Sequence, residues 1–228
     1  VTGVLDGRAA IVTGAGRGIG RAIAEALAAQ GAKVIVADAG LSPSGEGADP
    51  AVARGVAAAI GSNAIAFTDS VASPGVARQL VDLALRTFDR LDIVVNTAAI
   101  RRDAPVFEAY PADWDAVIRN NLSAPFYLTN AAASVMRRRG IAGRIVNIVG
   151  EPAAGQAAYA SAKAGLIALT RVTALDLADT EITANAVLPL DPPRVAELVT
   201  MLCAPAAQHI TGQVLSAAPS GEEPRERR

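Results

Sequence analysis

Five small or β-branched residues, Ala9–Thr13, run straight into Gly14-Ala15-Gly16-Arg17-Gly18-Ile19-Gly20, and residues 21–30 then follow with helical period up to Gly31. Nothing else in the 228 residues restricts the fold as tightly. A buried strand, a glycine-rich turn and a helix start, in that order, gather unpaired N–H groups and the positive end of a helix at the turn. Glycines let an anion approach the backbone closely, so this is an arrangement that holds a pyrophosphate.

The remaining chain repeats the same alternation. Lys33–Ala37 reads as a second strand, Pro50–Ile60 as a helix, Ala64–Phe67 as a strand and Pro74–Phe88 as a helix. Residues 91–96 read as a fourth strand, whose apolar run Ile93-Val94-Val95 befits a strand covered on both faces. Two long helices, 112–139 (bent near Pro125) and 157–177, enclose a strand at 144–149. Thr183–Leu188, a helix over 194–203 and a short strand over 213–217 complete the pattern. Strict β/α alternation predicts the α/β class, a doubly wound parallel sheet of the Rossmann type in a single domain. That domain is expected over residues 1–217, with 218–228 a mobile tail. The Gly-, Ser- and Pro-rich stretch 40–49 reads as a long surface loop, and no repeat or linker marks a second domain.

Composition removes several function classes. The formal net charge is -1, and no basic run could track a phosphate backbone, so nucleic acid is not an expected partner. Arg137, Arg138 and Arg139 read as a solvated helix end. Cys203 is the only cysteine, which excludes an intrachain disulfide, and its apolar surroundings predict a small buried side chain. His209 is the only histidine, which excludes a site needing two imidazoles, and no metal site is expected. No apolar stretch reaches membrane-spanning length, and the first residues lack a signal-peptide pattern, so the expected compartment is the cytoplasm.

Asp38 closes the second strand about 20 residues beyond the glycine run, where a carboxylate can bind both hydroxyls of a ribose and would repel a 2′-phosphate. That argues for NAD over NADP. Arg17, inside the loop, pulls the other way, because a guanidinium can accept that phosphate. The carboxylate carries more weight, and the expected cofactor is NAD.

The loop spacing resembles the TGxxxGxG form of the short-chain dehydrogenases/reductases, and Tyr159-Ala160-Ser161-Ala162-Lys163 resembles that family's YxxxK pair. Asn120-Asn121-Leu122 resembles its helix-borne asparagine, which puts Asn121 in that catalytic role. Asp69 resembles the residue set against the adenine, and Asn96-Thr97-Ala98-Ala99 stands where the family has NNAG. Residues 182–187 and 210–214 resemble its last two strands. The resemblance implies catalysis by Tyr159, Lys163 and Asn121. It implies cofactor contacts from Gly14, Arg17, Gly18, Ile19, Gly20, Asp38, Asp69, Asn96, Tyr159 and Lys163. Physical chemistry supports the pair: residues four apart share a helix face, and an ammonium beside a phenol favours the phenolate and lowers its pKa. Such a tyrosine can take a proton from an alcohol while hydride leaves for the nicotinamide. A looser likeness lies in residues 38–70, with Asp69-Ser70-Val71, and in Arg101-Arg102-Asp103. These resemble the dehydrogenase domains of multifunctional β-oxidation enzymes, which oxidise 3-hydroxyacyl-CoA with NAD, and imply an acyl-CoA setting.

Three departures from the family pattern fall together. No serine or threonine stands between Ser134 and Tyr159, and Gly150 occupies the place of the catalytic serine. Losing one such preorganised donor typically costs about 10²–10³ in rate, and a neighbouring ionised Glu151 could only accept. After Val187-Leu188-Pro189 the family inserts a substrate lid, whereas Leu190-Asp191-Pro192-Pro193 leads directly into a helix. Ala99, in place of a glycine, is expected to crowd the cofactor. The adenosine half of the pattern is intact and the substrate half is not. The expectation is an impaired NAD(H)-binding subunit that assembles, through the two long helices, with itself or with an active relative. The alternatives are a working NAD-dependent alcohol dehydrogenase or ketoreductase using Tyr159, Lys163 and Asn121, and a cofactor-responsive binding protein.

Overall fold

The computed structural model describes residues 3–216; the tail expected over 218–228 lies outside the described residues, as does Ala217. The alternation is realised as β1 (Ala9–Thr13), α1 (Gly18–Ala29), β2 (Lys33–Ala37), α2 (Pro50–Ile60), β3 (Ala64–Phe67), α3 (Pro74–Phe88) and β4 (Ile93–Asn96). Then come α4 (Pro111–Ile118), α5 (Ala124–Arg139), β5 (Arg144–Ile148), α6 (Ala157–Asp176), β6 (Thr183–Leu188), α7 (Pro192–Cys203) and β7 (Val214–Ser216). The strands form one parallel sheet in the order β3-β2-β1-β4-β5-β6-β7.

Period-2 geometry sends alternate strand residues into two separate cores. Ala10, Val12, Val34, Val36, Ile93 and Val95 pack with Ile23 and Leu27 of α1 and Val195 and Val199 of α7. Ile11, Ile35, Val94 and Ile145 face the other way, onto Leu80 of α3 and Leu128 and Met136 of α5. Burial on both faces is why these strands are apolar almost throughout. The strand order reverses between β1 and β4, so the chain leaves these neighbours toward opposite faces and opens a crevice at their C-terminal ends.

Boundaries differ from the sequence reading where something other than apolar period sets them. Helix α1 starts at Gly18 and not at residue 21, because two glycines hide its first turn from any hydrophobic pattern. Leu91 and Asp92 precede β4: the Asp92 carboxylate, buried, accepts from Ala9 N at 2.9 Å and twice from Arg90 at 2.7 Å. The helix expected over 112–139 is α4, a π-helical turn at Arg119–Ser123, and α5. Pro125 has no N–H to offer the carbonyl four residues back, and Ala124 N donates to Arg119 O, five back. Helix α7 starts at Pro192, capped by Asp191, whose carboxylate accepts from Arg194 N at 3.2 Å.

Beneath the crevice runs a buried polar chain. Asn96 Nδ2 donates to Thr129 Oγ1 at 3.3 Å and to Asn147 Oδ1 at 2.8 Å, and Asn147 Nδ2 donates to Thr170 Oγ1 at 2.8 Å. It ties β4 and β5 to α5 and α6. Such groups add little while paired, but each one orphaned by a substitution would cost about 1–3 kcal/mol.

Candidate functional site

The ends of β1 and β4 are pinned together by one hydroxyl. Thr13 Oγ1 accepts from Thr97 N at 3.0 Å and from Ala98 N at 3.2 Å. This draws the backbone after β4 against the glycine loop so closely that side chains are excluded. A Cβ at Gly14, whose φ is +63°, would lie 2.8 Å from Ala98 Cα, and one at Gly20 would lie 2.1 Å from Gly14 O. At Gly16 it would lie 2.2 Å from Val52 Cγ1. Gly16 N donates to Asp38 Oδ2 at 2.8 Å, while Gly40 N donates to Asp38 Oδ1 at 2.7 Å. The carboxylate predicted to meet a ribose therefore also braces the glycine loop against the chain leaving β2.

Residues 40–49, read from the sequence as a surface loop, form a strap across the mouth of the crevice. Leu41 O accepts from Arg17 Nη1 at 2.9 Å, Pro43 O from Arg101 N at 2.8 Å, and Ser44 O from Arg102 Nε at 3.0 Å. The sequence signals for it were Gly40, Gly45 and Gly47, all at positive φ. Together these elements enclose a cleft of about 680 Å³, within the usual size of a cofactor site. Gly14, Arg17, Ile19, Gly20, Asp38 and Asp69 line it at one end, with Leu41, Ser42 and Pro43 of the strap; Tyr159, Lys163 and Pro189 line the other. Thr13, Ile100 and the strap residues are lining groups that sequence reasoning did not single out. A backbone cradle with no room for a side chain at Gly14, Gly16 or Gly20, a helix start and a carboxylate at the far end fit a dinucleotide.

Three predicted site residues are not in the lining: Gly18 is exposed at the start of α1, and two asparagines stand behind the wall. Asn96 is buried in the polar chain beneath the floor. Asn121, fully buried at the π-helical turn, accepts from Ile100 N at 2.9 Å and donates to Ile100 O at 2.8 Å. It fixes the backbone that forms the substrate-side rim. Its neighbour Asn120 reaches the cleft.

Tyr159 and Lys163 share one face of α6. Lys163 Nζ donates to Ile148 O at 2.7 Å and lies 5.6 Å from the centroid of the Tyr159 ring. The lysine is 2% exposed, and burial brings its ammonium down to about 8. For Tyr159 the expected lowering is not found: burial raises its pKa, the Arg101 charge lowers it and the Asp103 charge raises it. The ammonium faces the ring and a carbonyl, which leaves burial as the larger influence on the hydroxyl.

At Gly150 a Cβ would lie 2.9 Å from the Tyr159 hydroxyl oxygen and 3.2 Å from the ring carbon Cε1. The phenol occupies the space that a side chain there would need. Only residues 189–191 connect β6 to α7, so no insertion covers this end of the cleft. Among the described residues, no group of three or more His, Cys, Asp or Glu could hold a metal ion, and no helix is long and apolar enough to cross a membrane.

Comparison with known proteins places this geometry. The family described as short chain dehydrogenase matches residues 8–191. The chain is 42% identical over 191 residues to a 3-oxoacyl-[acyl-carrier-protein] reductase of Synechocystis, covering 81% of this chain and 74% of the relative. It is 35% identical over 246 residues to the hydroxyacyl-CoA dehydrogenase ChsB1 of Mycobacterium tuberculosis, covering 92% and 77%. The crystal structure of a short chain dehydrogenase from Mycobacterium avium superposes with a TM-score of 0.85 at 36% identity, covering 96% of this chain and 84% of that one.

Burial of Lys163 makes a pH prediction. The folded chain holds this ammonium down to about 8 against an ordinary 10.5, so between those values the unfolded chain binds more protons. Stability from this residue therefore rises with pH through the window, and below it both states are charged and the full penalty applies. Relative to Lys163→Met, the wild type should gain on the order of 2 kcal/mol between about pH 8 and about pH 10. Urea denaturation of both proteins at the two pH values checks this; parallel stabilities would show that the lysine is not held in a desolvated site.

Proposed function

Because the chain belongs to the short-chain dehydrogenase family, whose members bind NAD(H) or NADP(H), we propose that it is an NAD(H)-binding subunit with an impaired cleft of its own. It assembles with an active relative acting on a hydroxyacyl or oxoacyl thioester of the CoA type. The observation that carries this reading is at Gly150. The Tyr159 hydroxyl stands beside a residue with no side chain, 2.9 Å from where a Cβ would be. No side chain at that position can donate to a substrate oxygen as charge develops on it.

The cofactor half supports binding. The loop from Gly14 to Gly20, Gly18 included, presents amides to a pyrophosphate, and Asp38 stands where a ribose would lie, which favours NAD over NADP. Arg17 lines the same end of the cleft and donates from Nη1 to Leu41 O, and the preference for NAD is carried by the Asp38 carboxylate. Asp69 lines the cleft at the adenine end, and Asn96 acts from below by holding β4 against β5. A bound nicotinamide would supply the hydride chemistry. Of the chain's own groups, Tyr159 would exchange the proton at its hydroxyl, Lys163 would bear on the phenol from beneath, and Asn121 would hold the rim at Ile100. With only three residues between β6 and α7 and Ala99 exposed at the cleft, the substrate end stays wet, which weakens these electrostatics.

Assembly through the long helices is supported by their exposed apolar side chains, Phe126 on α5 and Val172 and Leu175 on α6. The acyl-thioester setting rests on the likeness to a 3-oxoacyl-[acyl-carrier-protein] reductase and to a hydroxyacyl-CoA dehydrogenase.

Three measurements test this. Asp38→Ala should weaken NAD binding by about tenfold or more and narrow the preference over NADP; unchanged affinity for both would remove the carboxylate from the ribose. Gly150→Ser should raise NAD(H)-linked turnover of acyl thioesters by no more than about 10²-fold and leave it below an active relative assayed alongside. Turnover equal to that relative's, in this variant or in the wild type, would overturn the impaired reading. Native mass spectrometry after co-expression with a relative that has the serine and the lid should show mixed oligomers in preference to homo-oligomers. An exclusive homo-oligomer would favour a free-standing enzyme.

A further inference from the structure

The strap over residues 40–49 is closed at its base and stiff at its tip. Asp49 N donates to Ala39 O at 3.1 Å, which joins the two ends, and Gly40 turns there with a φ of +69°. Within the tip, Ser42 N donates to Glu46 O at 2.7 Å, Gly45 N donates to Ser42 O at 2.9 Å, and the Ser42 and Ser44 hydroxyls are 2.9 Å apart. A loop bonded in this way moves as one piece about its base. Leu41, Ser42 and Pro43 of this piece line the cleft.

The tip is fastened to the segment after β4. Pro43 O accepts from Arg101 N at 2.8 Å, and a Cβ at Gly45 would lie 2.9 Å from Ile100 Cδ1. Ser44 O accepts from Arg102 Nε at 3.0 Å, and the same guanidinium donates from Nη1 to Asp113 Oδ1 of α4 at 2.7 Å. Arg102 thus ties strap, rim and α4 together from outside the cleft, which it does not line. Every one of these fastenings joins two atoms of the chain, so none calls on a bound molecule to close the strap.

We propose that Arg102 is the latch of the strap, a positioning residue that governs how fast a dinucleotide enters and leaves the cleft. The inference rests on the reading of the cleft as an NAD(H) site. A latch made of protein contacts favours the closed strap equally in the free and the loaded chain. Breaking it therefore speeds binding and release by a similar factor and leaves the affinity nearly unchanged. A residue that held the cofactor itself would act otherwise: its loss would quicken release alone and weaken affinity to match.

Stopped-flow NADH fluorescence gives both rates, binding from mixing and release from displacement by excess NAD. The proteins are the wild type, Arg102→Met, which keeps the aliphatic stem, and Asp113→Asn, which holds Arg102 less firmly. Both rates should rise together, about fivefold or more in Arg102→Met and less in Asp113→Asn, with affinity within about threefold of wild type. Hydrogen exchange reads the latch without the cofactor. The Arg101 and Gly45 amides should exchange about fivefold or more faster in Arg102→Met, while those of β1 stay protected. Unchanged exchange at Arg101 and Gly45, unchanged NADH rates, or a rise in release alone would overturn the latch. Absence of NADH binding by the wild type would sink the cofactor reading and the gating role with it, and the exchange result separates that failure from failure of the latch.

Discussion

Where the sheet reverses, the chain leaving β1 and the chain leaving β4 turn to opposite faces, and a single hydroxyl keeps their first residues from separating. Thr13 Oγ1 takes two amides from the chain beyond β4, and Ala98 is thereby held against Gly14 so tightly that a methyl group would not fit between them. The rest of the site follows from that closeness. The glycine loop must turn with a positive φ at Gly14, α1 must start early, at Gly18, and its first amides come to face the crevice. Asp38 then locks the other side of the loop by accepting from Gly16 and Gly40.

The two ends of the cleft are built from different materials. The adenosine end is made of backbone: amides, glycines and the strap, all fixed by the same packing that stabilises the sheet. The end at Tyr159 is built from side chains, Tyr159 and Lys163 of α6. The glycine at position 150 and the three-residue turn after β6 lie outside both large cores, so neither bears on the packing of the sheet.

Much of this was legible in the residues. Strand runs such as Lys33–Ala37 and Thr183–Leu188 appear with the expected bounds, because burial on both faces favours apolar and β-branched residues over most of their length. The π-helical turn at Arg119–Ser123 was not legible. Proline at 125 marks a break, but the break falls earlier in the chain, where the backbone bonds reorganise. Residues 40–49 are a surface loop, as their composition indicates, but composition does not show that the loop straps the cleft. Its role comes from carbonyls that accept from Arg17, Arg101 and Arg102, and carbonyls carry no sequence signature. Asn96 and Asn121 were identified by motif, yet both side chains are buried and hold backbone or strands in place.

The sequence by itself determined the alternation of strands and helices, the glycine turn and its carboxylate, the Tyr159–Lys163 spacing and the missing hydroxyl before it. Each of these is a local property, set by side-chain period or residue type. Only the tertiary structure decided that the phenol fills the space beside Gly150 and that burial pushes its pKa up. Those outcomes depend on distances between elements far apart in the chain. Packing settles both, and residue spacing does not record them.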